Sequence, residues 1–438
     1  NTVNCTLKDR DGFIWFGTWY GLCCFDGVKF KTFNKQEHDS DVPPRKIQRI
    51  VEDKNGYIWV KTIDRKLYVF NKVTECFHAV YDDMKNYSEN IQVIKLQNTA
   101  EGDVLLLTKD KNLLLAGVDE KGQVTIKILF DSRDEINKHD YTLKHHVLCE
   151  TEEYISWIGT DYKVAAVHKG SELASRPADF ITSKINSGDK DSFTSFFEDG
   201  RKVWVGDRAG IFYSIDVRTG LVNRYVLSEI KGAISNLLVT PAGYVYLSVA
   251  GQGTYEYDLA ERRLQKINTE MNDAMVTHAF IDQYDKIWFH ENEKALIYYD
   301  PLNHTAKRFP FTMFGKITTL YSEDAGERGL FFLSPAGEAW LFDREHAEMV
   351  YINKLKQLSN DRANQQFYHL MLDNDGVLWL SSADEGVYCM NFPKKQFNLL
   401  SLSPQSAGRE NYATGVRALF QSKSGDIWVG TRWQRVYR

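Results

Sequence analysis

Acidic residues recur in short turns ahead of a bulky apolar residue, and their carboxylates are the first candidates for catalysis. They are Asp9, Asp11, Asp53, Asp199, Asp373 and Asp375. Two carboxylates flanking a glycosidic bond can hydrolyse it, so a glycosidase or lyase has to be weighed. All of these residues, however, lie in repeated turns, where Asp accepts backbone N–H bonds. The pattern therefore favours a structural role over a catalytic one.

Other motifs for nucleophilic or metal chemistry are weak. The chain has no GxSxG, HExxH or phosphate-binding loop, and Gly251-Gln-Gly253 follows no strand-to-helix pattern. His145, His146 and Cys149 lie close in sequence but lack an acidic partner at ligand spacing. We therefore expect no catalytic residue, no metal site and no cofactor.

The composition describes a large folded chain. Its 438 residues are 43% hydrophobic and 13% aromatic, which favours strands. The formal charge of −5 leaves no basic footprint, so we expect no contact with nucleic acid. No run approaches the roughly 18 apolar residues of a membrane span. The first residues, 1–7, contain neither an initiator Met nor a signal-like core, so we expect a trimmed piece of a longer protein.

One motif repeats along the whole chain: an acidic residue, a turn with Gly, an apolar residue, an aromatic residue and a small polar pair. Residues 9–18 and 53–62 are clear copies, as are 373–379 and 424–431. The motif centres are spaced 42 to 52 residues apart, at Trp15, Trp59, Leu105, Trp157, Trp204, Tyr246, Trp288, Phe331, Trp379 and Trp428. This period is that of a four-stranded propeller blade, and the period-2 runs of β-formers argue against a helical solenoid.

The second repeat shows how one blade is predicted to form. An inner strand covers 45–52, a Gly turn 53–56, two strands 57–62 and 66–70, and an outer strand 75–81. The fixed aromatic residue is large enough to fill the space between adjacent blades, and its burial is worth about 3 kcal/mol. The fold class is therefore predicted to be an all-β propeller.

The motif resembles the two-component regulator propeller repeat. The resemblance is strongest in 11–22, 25–27 and 30–33, and returns in 416–420 and 428–431. It implies the periplasmic sensor region of an inner-membrane hybrid two-component regulator, built from two seven-bladed propellers, a β-sandwich, a membrane helix and a kinase. It also implies an oligosaccharide ligand, signalling to a histidine kinase and response regulator on the same chain, and control of glycan utilisation.

Ten repeats are too many for one seven-bladed ring and too few for two. We therefore expect a first propeller over 1–320, or with its boundary nearer 355, and a truncated second propeller over 321–438. The first ring uses either the repeats from Trp15 to Trp288 or those from Trp59 to Phe331. To close a ring without leaving an open sheet edge, a strand from one end of the chain has to pair with strands from the other end. The segment 391–400 is predicted to be an outer strand. The sequence does not determine whether the protein forms a homodimer.

The antiparallel strand order sorts the connections onto two faces. Turns between second and third strands share one face with the long crossovers between blades, and long loops on a rigid scaffold are where binding residues concentrate. The ligand-binding candidates on this crossover face are Trp19, Tyr20, Arg45, Arg65, Tyr162, Arg208 and His290.

These residue types suit a sugar ligand, because aromatic rings stack on sugar faces and Arg grips carboxylate or sulfate with two bonds. Each candidate has an alternative interpretation as a solvated turn residue, and Trp19 has a further one as a contact to a second propeller. The leading hypothesis is a non-enzymatic, extracytoplasmic oligosaccharide sensor. The alternatives are a polysaccharide-acting propeller enzyme, glycosidase or lyase, and a protein-interaction propeller.

Overall fold

The chain forms two compact units, Asn1–Met390 and Asn391–Arg438. The computed structural model describes residues 2–33, 44–85, 92–132, 143–159, 164–170, 178–179, 193–267, 276–291, 294–314, 321–324, 326, 329–334, 338–352, 367–373, 375–382, 386–391, 416–422, 427–431 and 436–437. Within these ranges no helix is both long and apolar enough to cross a membrane.

The described part of the first unit folds into nine antiparallel sheets, in each of which the strands are ordered as in the chain. The first four sheets contain β1 Val3–Lys8, β2 Ile14–Thr18, β3 Gly21–Phe25, β4 Phe30–Phe33; β5 Ile47–Glu52, β6 Ile58–Thr62, β7 Leu67–Asn71, β8 Cys76–Ala79; β9 Val93–Asn98, β10 Val104–Thr108, β11 Leu113–Val118, β12 Val124–Phe130; and β13 Leu143–Glu150, β14 Tyr154–Gly159, β15 Val164–His168, β16 Ala178–Asp179. A one-turn helix, α1 Tyr81–Met84, follows β8.

The next five sheets continue the pattern. They contain β17 Phe193–Glu198, β18 Lys202–Asp207, β19 Phe212–Asp216, β20 Leu221–Tyr225; β21 Ile234–Val239, β22 Tyr244–Val249, β23 Gly253–Asp258, β24 Arg263–Lys266; β25 Val276–Ile281, β26 Ile287–Glu291, β27 Ala295–Asp300, β28 Thr305–Pro310; β29 Tyr321–Asp324, β30 Leu330–Leu333, β31 Ala339–Asp343, β32 Glu348–Tyr351; and β33 Phe367–Leu372, β34 Val377–Ser382, β35 Val387–Asn391. A 3-10 helix, Phe311–Phe314, follows β28. The second unit contains one antiparallel sheet, β36 Val416–Gln421, β37 Ile427–Thr431 and β38 Val436–Tyr437.

In the first unit the sheets pack on one another in chain order around a common axis. First strands contact first strands, as β1 contacts β5 and β5 contacts β9, and β1 also contacts β33. The prediction of an all-β propeller is confirmed, and the strands of the second repeat lie where the sequence predicts them, within two residues at each end. The seven-bladed division at residue 320 or 355 stays a prediction. The predicted outer strand 391–400 lies outside the described residues except for Asn391.

All ten motif centres lie in the second strand of their sheet. In the first unit they are buried between neighbouring sheets, as predicted. The ring of Trp288, for example, lies 5.3 Å from the ring of Phe332 and 4.7 Å from that of Phe342, both in the following sheet. The aromatic residue therefore acts as a wedge that holds adjacent sheets at a fixed separation.

In five of the described sheets an aspartate fixes the wedge to the turn before it. Asp53 Oδ1 accepts the backbone N–H groups of Asn55 and Tyr57 at 2.9 and 3.0 Å, and Oδ2 accepts the indole N–H of Trp59 at 2.8 Å. Four further pairs repeat the indole bond: Asp9–Trp15, Asp199–Trp204, Asp282–Trp288 and Asp373–Trp379. The structure thus shows the backbone role predicted for Asp9, Asp53, Asp199 and Asp373 and adds the indole bond. The carboxylates of Asp11 and Asp375 instead pair with Lys72 and Lys8.

Cations tie the same turns across the sheet boundary. Lys72, which follows β7, places its Nζ 3.0 Å from Asp9, 2.8 Å from Asp11 and 2.8 Å from Glu52. Burial disfavours the charged amine, but the bonds to these carboxylates outweigh it and raise the pKa of Lys72. Two further cations bridge successive sheets in the same way: Lys169 to Glu101 and Glu150, and Arg344 to Asp282 and Asp324.

We predict that Asp53→Ala lowers the free energy of unfolding by about 3 kcal/mol, because it leaves several buried N–H donors without an acceptor. The urea midpoint, followed by tryptophan fluorescence, measures the loss. Asp26→Ala is the matched control, since Asp26 accepts two turn N–H bonds at an exposed site and should cost less than about 1 kcal/mol. Equal losses in the two variants would contradict the role given to the buried aspartate.

Candidate functional site

Four of the predicted ligand-binding residues come together on the crossover face of the first three sheets. The Trp19 carbonyl accepts the N–H of Lys46 at 3.0 Å, and the Lys46 carbonyl accepts the N–H of Ile63 at 2.9 Å. The Arg65 carbonyl accepts the N–H of Val93 at 2.9 Å. Backbone hydrogen bonds therefore join the turns of successive sheets into one surface, which we call the crossover strip. Its members are Trp19, Tyr20, Arg45, Lys46, Arg65 and Lys109.

The aromatic end of the crossover strip is exposed on a fixed turn. Trp19 is 42% exposed and Tyr20 71% exposed. Thr18 Oγ1 accepts the N–H of Tyr20 at 3.1 Å and donates to the Gly21 carbonyl at 2.8 Å, so the turn is fixed from beneath. The ammonium of Lys46 lies 5.2 Å from the centre of the Trp19 ring, within cation–π range. Two exposed rings on a fixed backbone form a stacking surface flanked by positive charge.

A buried lysine lies beneath the cationic part of the crossover strip. Lys61 is 6% exposed, and its Nζ donates to Gln48 Oε1 at 2.7 Å and to the Ile94 carbonyl at 3.0 Å. Burial, with the neighbouring positive charges of Arg65 and Arg49, lowers the pKa of this ammonium. Lys61 is not among the binding residues predicted from the sequence.

A departure from the repeat could have revealed Lys61. The motif has Gly at this place, as in Gly17 and Gly206, because a Cβ there would lie 2.4 Å from Cys5 Sγ or from Ser195 Oγ. The second repeat instead reads Trp59-Val-Lys-Thr62. At this position the other repeats have Gly four times and Leu, Ser or His five times, so a long cationic side chain is particular to the second repeat and indicates a local function.

The charge of this surface is mostly positive. Among the described residues, no carboxylate lies within ion-pair distance of Arg45, Lys46, Lys61, Arg65 or Lys109. Asp64, the acidic residue in the same turn as Arg65, lies 3.4 Å from Lys66 and accepts a bond from Thr62. The surface is therefore suited to a ligand that offers both a face for stacking and an anionic group.

The other predicted binding residues lie elsewhere. Arg208 is exposed in the turn between β18 and β19, in the fifth sheet. His290 lies half-buried in β26 of the seventh sheet, 5.0 Å from the Phe311 ring, and burial followed by the charge of His278 lowers its pKa. Tyr162 lies outside the described residues. No described contact joins Arg208 or His290 to the crossover strip.

Comparison with known proteins identifies the repeat type at the start of the chain. Residues 1–20 match the family model described as two component regulator propeller. This segment contains β1, β2 and the Trp19–Tyr20 turn, so part of the candidate site lies within a repeat of this type. No curated protein matches the chain.

Solved structures similar to the chain include two extracellular domains from B. thetaiotaomicron. One, provisionally classed as a hybrid two component system, is 15% identical with a TM-score of 0.35, and covers 100% of this chain and 64% of its own. The other, provisionally classed as a one component system, is 13% identical with a TM-score of 0.39, and covers 98% of this chain and 67% of its own. The Dos1 propeller is 14% identical with a TM-score of 0.48 over 76% of this chain and 89% of its own. The chain thus spans about two thirds of the length of the two extracellular domains.

Lys61→Met should change how stability depends on pH. Because the pKa of Lys61 is lower in the folded state than in the unfolded chain, the folded protein gains stability as pH rises toward the unfolded pKa of about 10.4. Wild type should therefore gain stability relative to Lys61→Met between about pH 8 and about pH 10. Urea midpoints across this range test the expectation. Lys66→Met is the control, because it removes an exposed lysine near the same turn. An identical pH dependence of stability in both variants would contradict the role given to the buried Lys61.

Proposed function

We propose that the chain is the extracytoplasmic, ligand-sensing part of a hybrid two-component regulator and that it binds an oligosaccharide. The match of residues 1–20 to the two component regulator propeller model supports the sensor class. The ten repeat centres in equivalent strands extend the same architecture along the chain. In this proposal the segment is not itself an enzyme. It lies in the periplasm as part of an inner-membrane protein and signals to a histidine kinase and response regulator on the same chain.

The residues of the crossover strip are the main support for the proposed class of ligand, an oligosaccharide. Trp19 and Tyr20 offer exposed rings for the apolar face of a sugar. Arg45, Lys46 and Arg65 add positive charge that no described carboxylate neutralises. The ligand best suited to this combination is an oligosaccharide that carries carboxylate or sulfate groups. In the proposal, such binding regulates the capture and breakdown of complex glycans.

The turn aspartates weigh against the enzyme alternative. In Asp9 and in Asp53, one carboxylate oxygen accepts hydrogen bonds from turn N–H groups and the other accepts one from an indole N–H. A general acid or nucleophile needs a carboxylate that faces the substrate. Release of product from a polysaccharide panel, abolished by substitution of one carboxylate, would favour the enzyme over the sensor.

Trp19→Ala and Arg65→Ala should each weaken binding of an acidic oligosaccharide by at least about tenfold, because each removes a stacking or charge-assisted contact. A glycan array selects the ligand, and calorimetry on the 438-residue chain measures its affinity. Arg208→Ala is the matched control, since it removes an exposed Arg from a turn of the fifth sheet.

Unchanged affinity in both strip variants, with folding intact by circular dichroism, would remove the crossover strip from the proposal. Binding of a protein partner in place of any sugar would replace the glycan hypothesis by the protein-interaction alternative. Loss of affinity in Arg208→Ala alone would place the ligand on the fifth sheet.

A further inference from the structure

A second polar site lies on the axis, where the first strands of the first, second, third and ninth sheets meet. A cavity of about 350 Å³ opens there between β1, β5, β9 and β33. Its polar lining consists of Cys5, Thr6, Arg49, Glu52, Asn98 and His369. None of these residues belongs to the crossover strip.

Arg49 gives this cavity an uncompensated positive charge. Its side chain is exposed, and in the described part of the chain no carboxylate lies within 4.0 Å of it. Glu52, which lines the same cavity, is already engaged by Arg10 at 3.1 Å and by Lys72 at 2.8 Å. Arg49 also acts on Lys61, whose pKa it helps to lower. An anion entering the cavity would therefore meet a guanidinium that is free to bind it.

His369 adds a buried nitrogen that lacks a partner. Its Nδ1 is inaccessible to solvent and makes no hydrogen bond within the described residues. Leaving a buried polar atom unpaired costs about 1–3 kcal/mol. Burial and the charge of Arg49 lower the pKa of the ring to about 4, so the ring is neutral near pH 7. His369 lines the cavity, and a rotation of its ring that turns Nδ1 toward the cavity would let a ligand oxygen accept a hydrogen bond from it and recover the lost interaction.

We propose that the axial cavity binds a small oxyanion through the guanidinium of Arg49 and a hydrogen bond from His369. The group recognised is a sulfate, phosphate or carboxylate, whose oxygens match the donors of the guanidinium fork. The bound anion links β5 to β33, next to the bond of 2.9 Å between Thr6 and Ser381 that joins the first and ninth sheets. It therefore bridges the second and ninth sheets, which lie on either side of the first. This site is independent of the proposed oligosaccharide function.

The charged groups around His369 set the direction of the pH dependence. From β1, burial raises the pKa of the Cys5 thiol to about 12, so it stays neutral. From β29, which contacts β33, burial and then the charge of Asp324 raise the pKa of Glu323 to about 7. A lower pH protonates Glu323 and favours the charged form of His369, and both changes favour an anion. The affinity for a fully ionised anion should therefore rise as pH falls.

Lys8 is the remaining charged group on β1, and β34 contributes none. Lys8 Nζ lies 2.5 Å from Asp375 and 3.8 Å from Asp373, so its charge is balanced within the ninth sheet. The pH dependence is therefore expected to come from His369 and Glu323, and replacement of His369 separates the two contributions.

Sulfate is the probe, because it stays doubly charged between about pH 5.5 and about pH 7.5 and the pH dependence then reports on the protein. Calorimetric titration of the 438-residue chain, at constant ionic strength set by chloride, should show one sulfate site. Arg49→Gln should weaken binding at least about tenfold. His369→Gln should weaken it several-fold and reduce the gain in affinity at low pH. Phosphate and acetate, titrated in the same way, identify which oxyanion the cavity prefers.

Arg65→Gln is the matched control, because it removes a cation from the crossover strip and leaves the axis unchanged. Sulfate binding lost in Arg65→Gln and kept in Arg49→Gln would overturn the axial site and leave the crossover strip intact. No sulfate binding by wild type, or unchanged affinity in both axial variants, would also overturn it. If circular dichroism shows that Arg49→Gln does not fold, Arg49→Lys tests the site instead, because it keeps the positive charge but removes the paired donors of the guanidinium.

Discussion

The hydrogen bonds that an aspartate accepts from its turn and from an indole, present in five of the described sheets, are the constraint on which much of the packing in the first unit depends. Asp53 uses one oxygen to close the turn and the other to orient the indole of Trp59. The oriented indole then sets the distance to the next sheet, because the wedge packs against side chains of that sheet, as Trp288 packs against Phe332 and Phe342. Lys72 ties this turn system to the preceding sheet through Asp9. Local turn chemistry thus determines the packing between sheets.

Because these turns lie at one end of the strands, the opposite end is free to carry other chemistry. There the backbone is fixed by bonds such as Lys46 N–H to the Trp19 carbonyl, while the side chains of Trp19 and Tyr20 stay exposed. The second repeat shows both parts. Its second strand follows the motif, but Lys61 stands where the clearest copies of the motif have glycine. The rigid scaffold and the variable surface are therefore separate parts of each repeat.

The two proposed sites share an electrostatic neighbour. Lys61 lies buried near both Arg65 of the crossover strip and Arg49 of the axial cavity, and both charges lower its pKa. An anionic group bound at either place would offset part of that repulsion and make the charged form of Lys61 more favourable. Because Lys61 itself is buried, salt screens this interaction less than one between two exposed charges.

The sequence by itself determined the repeat, the four strands of each blade and the burial of its wedge, because all three follow from local spacing and β-forming residues. It also placed Trp19, Tyr20 and Arg65 in exposed turns of one face. Only the tertiary structure decided which turns become neighbours, so it separated Arg208 and His290 from the crossover strip. Likewise it brought Arg49 and His369, 320 positions apart in sequence, to one cavity. The physical reason is that contacts between sheets far apart in the chain depend on how the sheets pack around the axis, which no local pattern encodes.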